Sequence, residues 1–199
     1  GLMACGDDVG TLEIYDAATG TPKGSLNLGA PVRTTPVSLG DGTLAVVTSN
    51  GVAHRISVAQ DGTPTQAAAC SFATSSTSTP ALAGDTLVVG GAVADATGYH
   101  GRLALIDVAS FSVTRTVDAT AAGPLPGAVQ GAPLVSETAN GTWAYFTCNA
   151  LPGALCGYKL GDEQAAQIYL PAPADQQYCL ASVIPGPDGA LYYSNDSGL

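Results

Sequence analysis

The sequence predicts an all-β chain, a segment of a β-propeller built from four-stranded antiparallel blades. Three observations predict it. A strand anchor returns at intervals of 44, 53 and 49 residues, turn residues follow each anchor, and no stretch of twelve or more residues carries the helical period. Glycine (25) and proline (13) are spread along all 199 residues, which suits many short strands joined by tight turns.

The anchor is a small polar residue, a proline and then an apolar strand. It reads Thr35-Pro36-Val37, Thr79-Pro80-Ala81 and Ala132-Pro133-Leu134, and Ser182-Val183-Ile184 takes the same place without its proline. Behind each anchor comes a turn and a β-rich strand: Gly40-Asp41-Gly42 before Thr43, Gly84-Asp85 before Thr86, Asn140-Gly141 before Thr142, and Asp188-Gly189 before Ala190. Repeats of this length with four strands each are the signature of propeller blades.

Blade boundaries follow: a partial blade over 1–30, whole blades over 31–73, 74–119 and 120–175, and a partial blade over 176–199. Three blades are complete and two partial. In the blade over 31–73, the expected strands are Val32–Leu39, Thr43–Ser49, Val52–Ala59 and Thr65–Phe72, with Asn50-Gly51 as a two-residue hairpin. The next blade is expected to carry a longer loop, Asp95–Gly101. The one after adds Thr120–Val129 before its first strand and the loop between Cys148 and Cys156.

Each sheet then has two apolar faces that its neighbours must cover, because no single sheet can bury both. An open ring would leave two such faces bare. Further blades beyond the segment are therefore expected, rather than a very small ring in which the two ends share one blade. The chain starts inside a strand-like pattern at Leu2-Met3-Ala4-Cys5 and stops after the turn Asn195-Asp196-Ser197-Gly198, so both ends read as cut from something longer.

Sixteen acidic side chains against six basic ones give a net charge of −10, which repels a phosphate backbone or an anionic lipid surface. Nucleic acid is excluded as a partner on this ground, and no apolar run reaches the length of a membrane-spanning helix. The five cysteines contain no C-x-x-C pair. Cys148 and Cys156 flank Asn149–Leu155 and could face each other as a disulfide, which would imply an oxidising compartment; the alternative is buried free thiols.

The phrase Tyr15-Asp16-Ala17-Ala18-Thr19-Gly20 resembles the repeat of the pyrroloquinoline-quinone-type propellers, A-x-D-x-x-T-G-x-x-x-W, at the turn between third and fourth strands. Asp16, Thr19 and Gly20 fall on its D, T and G, a structural role in which the side chains take backbone N–H groups and Gly supplies positive φ. Gly24 stands where the motif has tryptophan, and later copies erode to Ile106-Asp107-Val108-Ala109-Ser110-Phe111 and Tyr158-Lys159-Leu160-Gly161-Asp162. The resemblance implies either a non-catalytic envelope or surface scaffold, or a quinone-dependent alcohol dehydrogenase. The enzymes hold quinone and calcium over the ring axis, with a catalytic Asp and often a disulfide between adjacent cysteines. This chain has no adjacent cysteine pair and one tryptophan, Trp143, so neither quinone nor calcium is expected as a cofactor.

No catalytic, cofactor or metal residues are assigned. His54 and His100 have no carboxylate in sequence reach, and no G-x-S-x-G elbow or phosphate-binding Gly-Lys loop occurs. Asp7-Asp8 and Asn195-Asp196 are read as turn residues rather than a calcium loop. Asn140-Gly141-Thr142 and Asn195-Asp196-Ser197 fit the glycosylation acceptor pattern, but each overlaps a predicted hairpin turn. Tyr99, His100 and Tyr178 are the candidate binding-loop residues, since aromatic side chains on loops stack on carbohydrate or dock a protein. The function expected is a non-enzymatic binding scaffold of an exported bacterial protein, at the cell surface or in the envelope, with the loops over 95–101, 120–129 and 148–156 as its contact surface. The alternatives are the quinone-dependent dehydrogenase and a carbohydrate-binding surface module.

Overall fold

The computed structural model describes residues 1–96 and 98–198. Strand makes up 54% of the chain and helix 2%, so no helical layer covers a sheet and each sheet must be covered by the next. Four meander sheets follow one another along the chain. The first has three strands, β1 (Leu2–Gly6), β2 (Thr11–Asp16) and β3 (Pro22–Asn27). The second is β4 (Val37–Ser38), β5 (Thr43–Thr48), β6 (Val52–Val58) and β7 (Pro64–Ser71); the third is β8 (Ala81–Ala83), β9 (Thr86–Asp95), β10 (Gly98–Asp107) and β11 (Ser112–Val117). A short ribbon, β12 (Ala119–Thr120) and β13 (Gly123–Pro124), precedes the fourth: β14 (Leu134–Thr138), β15 (Gly141–Cys148), β16 (Ala154–Lys159) and β17 (Ala166–Tyr169). A 3-10 turn at Pro173–Asp175 leads to a two-stranded sheet, β18 (Ile184–Pro185) and β19 (Leu191–Tyr192).

The alternation of side chains shows how the sheets stack. Leu87, Val89, Ala104 and Ile106 pack with Ala45, Val47 and Ala53 of the second sheet. Their strand neighbours Val88, Leu103 and Leu105 point the other way, to Ala144, Phe146 and Tyr158 of the fourth. Val46 and Ile56 turn to Leu12 and Ile14 of the first. Side chains one residue apart on a strand serve opposite faces, so runs such as Leu87-Val88-Val89 are apolar throughout because both faces are buried. The outer strands β3, β7 and β11 touch in sequence, as the inner strands β8 and β14 do. Glycine sets the closest approaches: a Cβ at Gly90 would lie 2.4 Å from Val129 Cγ1.

The anchors are tied across junctions. The Thr35 N–H donates to Thr79 Oγ1 (3.0 Å), the Ser78 hydroxyl to the Gly131 carbonyl (2.9 Å), and the Ala132 N–H to Ser182 Oγ (3.0 Å). Small hydroxyl residues recur there because each reaches backbone of the next repeat. Three arginines bridge sheets in the same way. Arg55 holds the Val108 carbonyl (2.7 Å) and Asp41, Arg102 holds Asp118 and the Phe72 carbonyl (3.1 Å), and Arg115 holds the Asp162 carbonyl (3.0 Å).

Several expectations are corrected. The inner strand of the second sheet is only Val37–Ser38, not Val32–Leu39. Residues before it form a connector in which the Thr34 hydroxyl bonds the Val47 carbonyl (2.9 Å), and Pro36 has no N–H for a ladder. The Asn50-Gly51 hairpin has three residues in its turn, since Thr48 pairs with Val52, and only Gly51 takes positive φ (73°). The loop over 95–101 is mostly strand, with His100 opposite Val93 and Gly98 opposite Asp95; Thr97 lies outside the described residues. Residues 120–129 are only partly presented: Ala121, Ala122, Pro124 and Pro126 are exposed, but Leu125 and Val129 are fully buried, and Val129 donates its N–H to the Gly91 carbonyl (3.1 Å).

Cys148 and Cys156 are free thiols with sulfurs 3.8 Å apart. Cys148 is opposite Ala154 and Cys156 opposite Phe146, so the two sit diagonally on one face rather than across from each other. Contact with Cys156 and burial push the Cys148 thiol well up. Both behave as small apolar residues of the junction between third and fourth sheets.

Candidate binding face

Turns between second and third strands of the four-stranded sheets, the β1–β2 turn of the first sheet, and connectors from each outer strand to the next inner one open on the same end of the sheets. Backbone bonds stitch them into one surface. Val32 N donates to Asp7 O, Ser49 N to Pro31 O, Ser76 N to Ser49 O, Thr74 N to Ala92 O, Asn149 N to Ala128 O and Gly153 N to Gln177 O. The other end holds the remaining turns, where several carboxylates accept backbone N–H groups. Asp16 Oδ1 takes the N–H groups of Ala18 and Thr19 (3.0 Å each), Asp61 that of Thr63, and Asp107 that of Ser110. The N–H groups hold the carboxyls of Asp16 and Asp61 below the usual range, as the Ser110 hydroxyl and N–H hold that of Asp107.

On the first end lies a cleft of about 190 Å³ that reaches from the first connector to the third, lined among others by Arg33, Ser49, Ser75, Thr77, Tyr99 and Gln130. Hydroxyls, one amide, one phenol and one guanidinium make it a polar, hydrogen-bonding surface. Arg33 is held at its rim by Asp8 (2.8 Å), and both side chains are mostly exposed. Gln130 accepts from the Asn149 side-chain amide (2.6 Å). The cleft pairs no nucleophile with a base. Among the described residues, no group of three His, Cys, Asp or Glu is placed to hold a metal ion.

Of the residues expected to bind, Tyr99 lines this cleft and is 61% exposed. His100, next on the strand, is half-buried and is not part of the lining. Tyr178 is exposed in the last connector, where its carbonyl takes the Asp196 N–H (3.1 Å), and it lies apart from the cleft. Asp16, Thr19 and Gly20 sit at the opposite end in the β2–β3 turn, Gly20 at φ 70°. Asp7 and Asn195 are turn residues: Asp7 Oδ1 takes the N–H groups of Val9 and Thr11, and Asn195 Oδ1 that of Ser197. Arg33, Ser75, Thr77 and Gln130 escaped the sequence reading, although each stands three to five residues before an anchor proline, where every connector crosses this face.

His54 is buried, with Nδ1 2.8 Å from Gln66 Oε1 and Nε2 3.1 Å from Thr48 Oγ1. Burial pushes its pKa down, so the ring is neutral, donates from Nδ1 and serves the sheet interior. A second polar cleft of about 160 Å³ lies beside the last sheet, between Tyr169, Tyr193, Asp175 and Asn195. There Tyr193 meets Tyr169 edge-on at 6.1 Å, and burial pushes its hydroxyl up to about 12.

No protein-family model and no curated protein matches the chain. Solved structures do. BamB from Moraxella catarrhalis superposes with a TM-score of 0.67 at 17% identity, over 98% of this chain and 55% of that one. The fold is a β-propeller segment. The Dos1 propeller gives a TM-score of 0.64 at 14% identity, covering 96% of this chain and 49% of its own. Quinohemoprotein alcohol dehydrogenase from Comamonas testosteroni gives 0.66 at 11% identity, covering 97% and 38%. The segment thus spans about half or less of the propellers it matches, and at these identities the likeness is one of fold alone.

Proposed function

We propose that this propeller segment is a non-enzymatic binding scaffold of an exported bacterial protein, at the cell surface or in the envelope, that contacts a protein partner through the cleft face. The observation that carries the reading is the contrast among the arginines. Arg55, Arg102 and Arg115 are spent on carbonyls of neighbouring sheets, whereas Arg33 stands at the rim of a polar cleft beside exposed Tyr99. Arginine and tyrosine are the side chains that most often anchor a protein interface. Among the described residues no helix is long and apolar enough to cross a membrane.

A photo-crosslinking residue at position 99, with the protein expressed in a bacterial host and its adducts identified by mass spectrometry, tests this. The expected result is one defined protein adduct, lost in Arg33→Glu and absent when the probe is moved to exposed Asp61 at the opposite end. Equal labelling from both ends would contradict the reading. Reconstitution of a coloured, alcohol-reducible species with added quinone and calcium would replace it with the dehydrogenase, and selective retention on a glycan array with a carbohydrate-binding module.

A further inference from the structure

We propose that Asn140 is a site of spontaneous covalent modification, where the side-chain amide is exchanged for a carboxylate through a cyclic imide. The chain contains two Asn-Gly pairs, Asn50-Gly51 and Asn140-Gly141, and each sits at a turn between two strands of a sheet. In such a pair the glycine nitrogen stands within reach of the Asn side-chain carbonyl carbon, and a residue without Cβ crowds neither the attack nor the ring that follows. The step needs no co-reactant except water. A bond forms from the glycine nitrogen to Asn Cγ, the side-chain amide leaves as ammonia with the glycine's proton, and water then opens the five-membered ring. Opening at one carbonyl leaves aspartate, and at the other isoaspartate.

The two pairs share a sequence and differ in structure. Closing the ring requires the turn to open, since the Asn side chain must swing over the peptide bond that follows it. At the first pair the turn is clamped. Gly51 is buried, its N–H donates to the Thr48 carbonyl (3.0 Å), and its carbonyl accepts from the Phe72 N–H (2.9 Å). A Cβ on Gly51 would lie 2.3 Å from the Ala73 carbonyl oxygen, and Asn50 Oδ1 lies 2.7 Å from Thr48 Oγ1. Opening this turn breaks its packing on the connector that leaves β7.

At the second pair, Glu137 through Gly141 are all exposed. The Thr138 hydroxyl donates to the Gly141 carbonyl (2.8 Å) and accepts from the Asn140 N–H (3.2 Å), surface bonds that water replaces when the turn opens. The Asn140 side-chain amide has no protein partner among the described residues. Lys159 is a second, independent observation. A Cβ on Gly141 would lie 3.1 Å from Lys159 Cε and 4.0 Å from its Nζ, so an ammonium stands beside the attacking residue. A positive charge there stabilises the anion that develops on the glycine nitrogen and the side-chain oxygen during attack. At Gly51 the three atoms nearest to such a Cβ all belong to Ala73.

The test is to hold the intact folded chain in warm neutral buffer and follow both pairs by peptide mapping. The readouts are the amide-to-acid mass gain and labelling by an isoaspartyl methyltransferase, with the chain unfolded in guanidinium chloride mapped alongside. In the folded chain Asn140 is expected to convert at least about tenfold ahead of Asn50, giving both acid products, and unfolding should bring the two rates together. Lys159→Gln, with an unchanged circular dichroism spectrum, should slow Asn140 in the folded chain and leave the unfolded rate as it was. Should that variant lose its fold, added salt should slow Asn140 in the folded parent chain by screening the same charge. Persistence of the amide at position 140, an Asn50 that keeps pace in the folded chain, or an Asn140 rate indifferent to both Lys159→Gln and salt would overturn the proposal.

Discussion

The junction between the second and third sheets and the outward side of the fourth sheet use similar side chains to different ends. At the junction, Val47, Leu87, Val89 and Ile106 are all but completely buried. On the fourth sheet's outward side, Trp143 and Tyr145 stack at 6.0 Å but stay only partly covered, and Ile168 and Tyr169 are half exposed. What differs is the neighbour. A whole sheet covers the first surface, and the two short strands β18 and β19 stand beside the second. Burial here is a property of the stack rather than of any one strand, so stability is shared between adjacent sheets and is smallest at the two ends.

The largest effect expected from breaking this comparison is at the closed junction. Ile106→Ala removes a fully buried side chain and should lower the unfolding free energy by about 3 kcal/mol in urea titrations, at any protein concentration. Ile184→Ala, at an exposed position, should stay within about 0.5 kcal/mol. Equal losses in the two variants would show that Ile184 is as well covered as Ile106.

A smaller effect comes from the polar group inside the second sheet. Burial lowers the His54 pKa below 6.5, so between 6.5 and the folded value the unfolded chain binds the proton that the folded chain refuses. Stability therefore falls as pH drops through that window and levels off below the folded pKa. The thermal midpoint should decline from pH 7 downward in the parent chain and decline less in His54→Gln. The carboxylates held low at the turn end, among them Asp16 and Asp107, lose their contribution only at more acidic pH, as each titrates through its lowered folded pKa. The two windows are thus separable.

Much of the fold was legible because the anchor and turn residues act locally. Pro36, Pro80 and Pro133 mark where ladder bonding begins, and Asp-Gly turns follow at short range. Loop roles were not legible, because they depend on what lies across a junction. Residues 120–129 read as an exposed insertion rich in Ala, Gly and Pro, yet the burial of Leu125 and Val129 is decided by the third and fourth sheets. The stretch Tyr99-His100-Gly101 reads as loop, but Gly101 is a strand residue whose missing side chain admits the Gly127 carbonyl, which would lie 2.1 Å from a Cβ. The cleft was missed for the same reason. Arg33, Tyr99 and Gln130 are far apart in sequence, and only the stitching of successive connectors brings them to one surface.

Methyl-methyl nuclear Overhauser contacts from Val88 and Val89 test the stacking most directly, since these adjacent residues should report different neighbours. Contacts from Val89 to Val47 and Ala53, and from Val88 to Ala144, are the predicted result. Contacts from both valines to a single facing sheet would describe a two-layer sandwich and contradict the account.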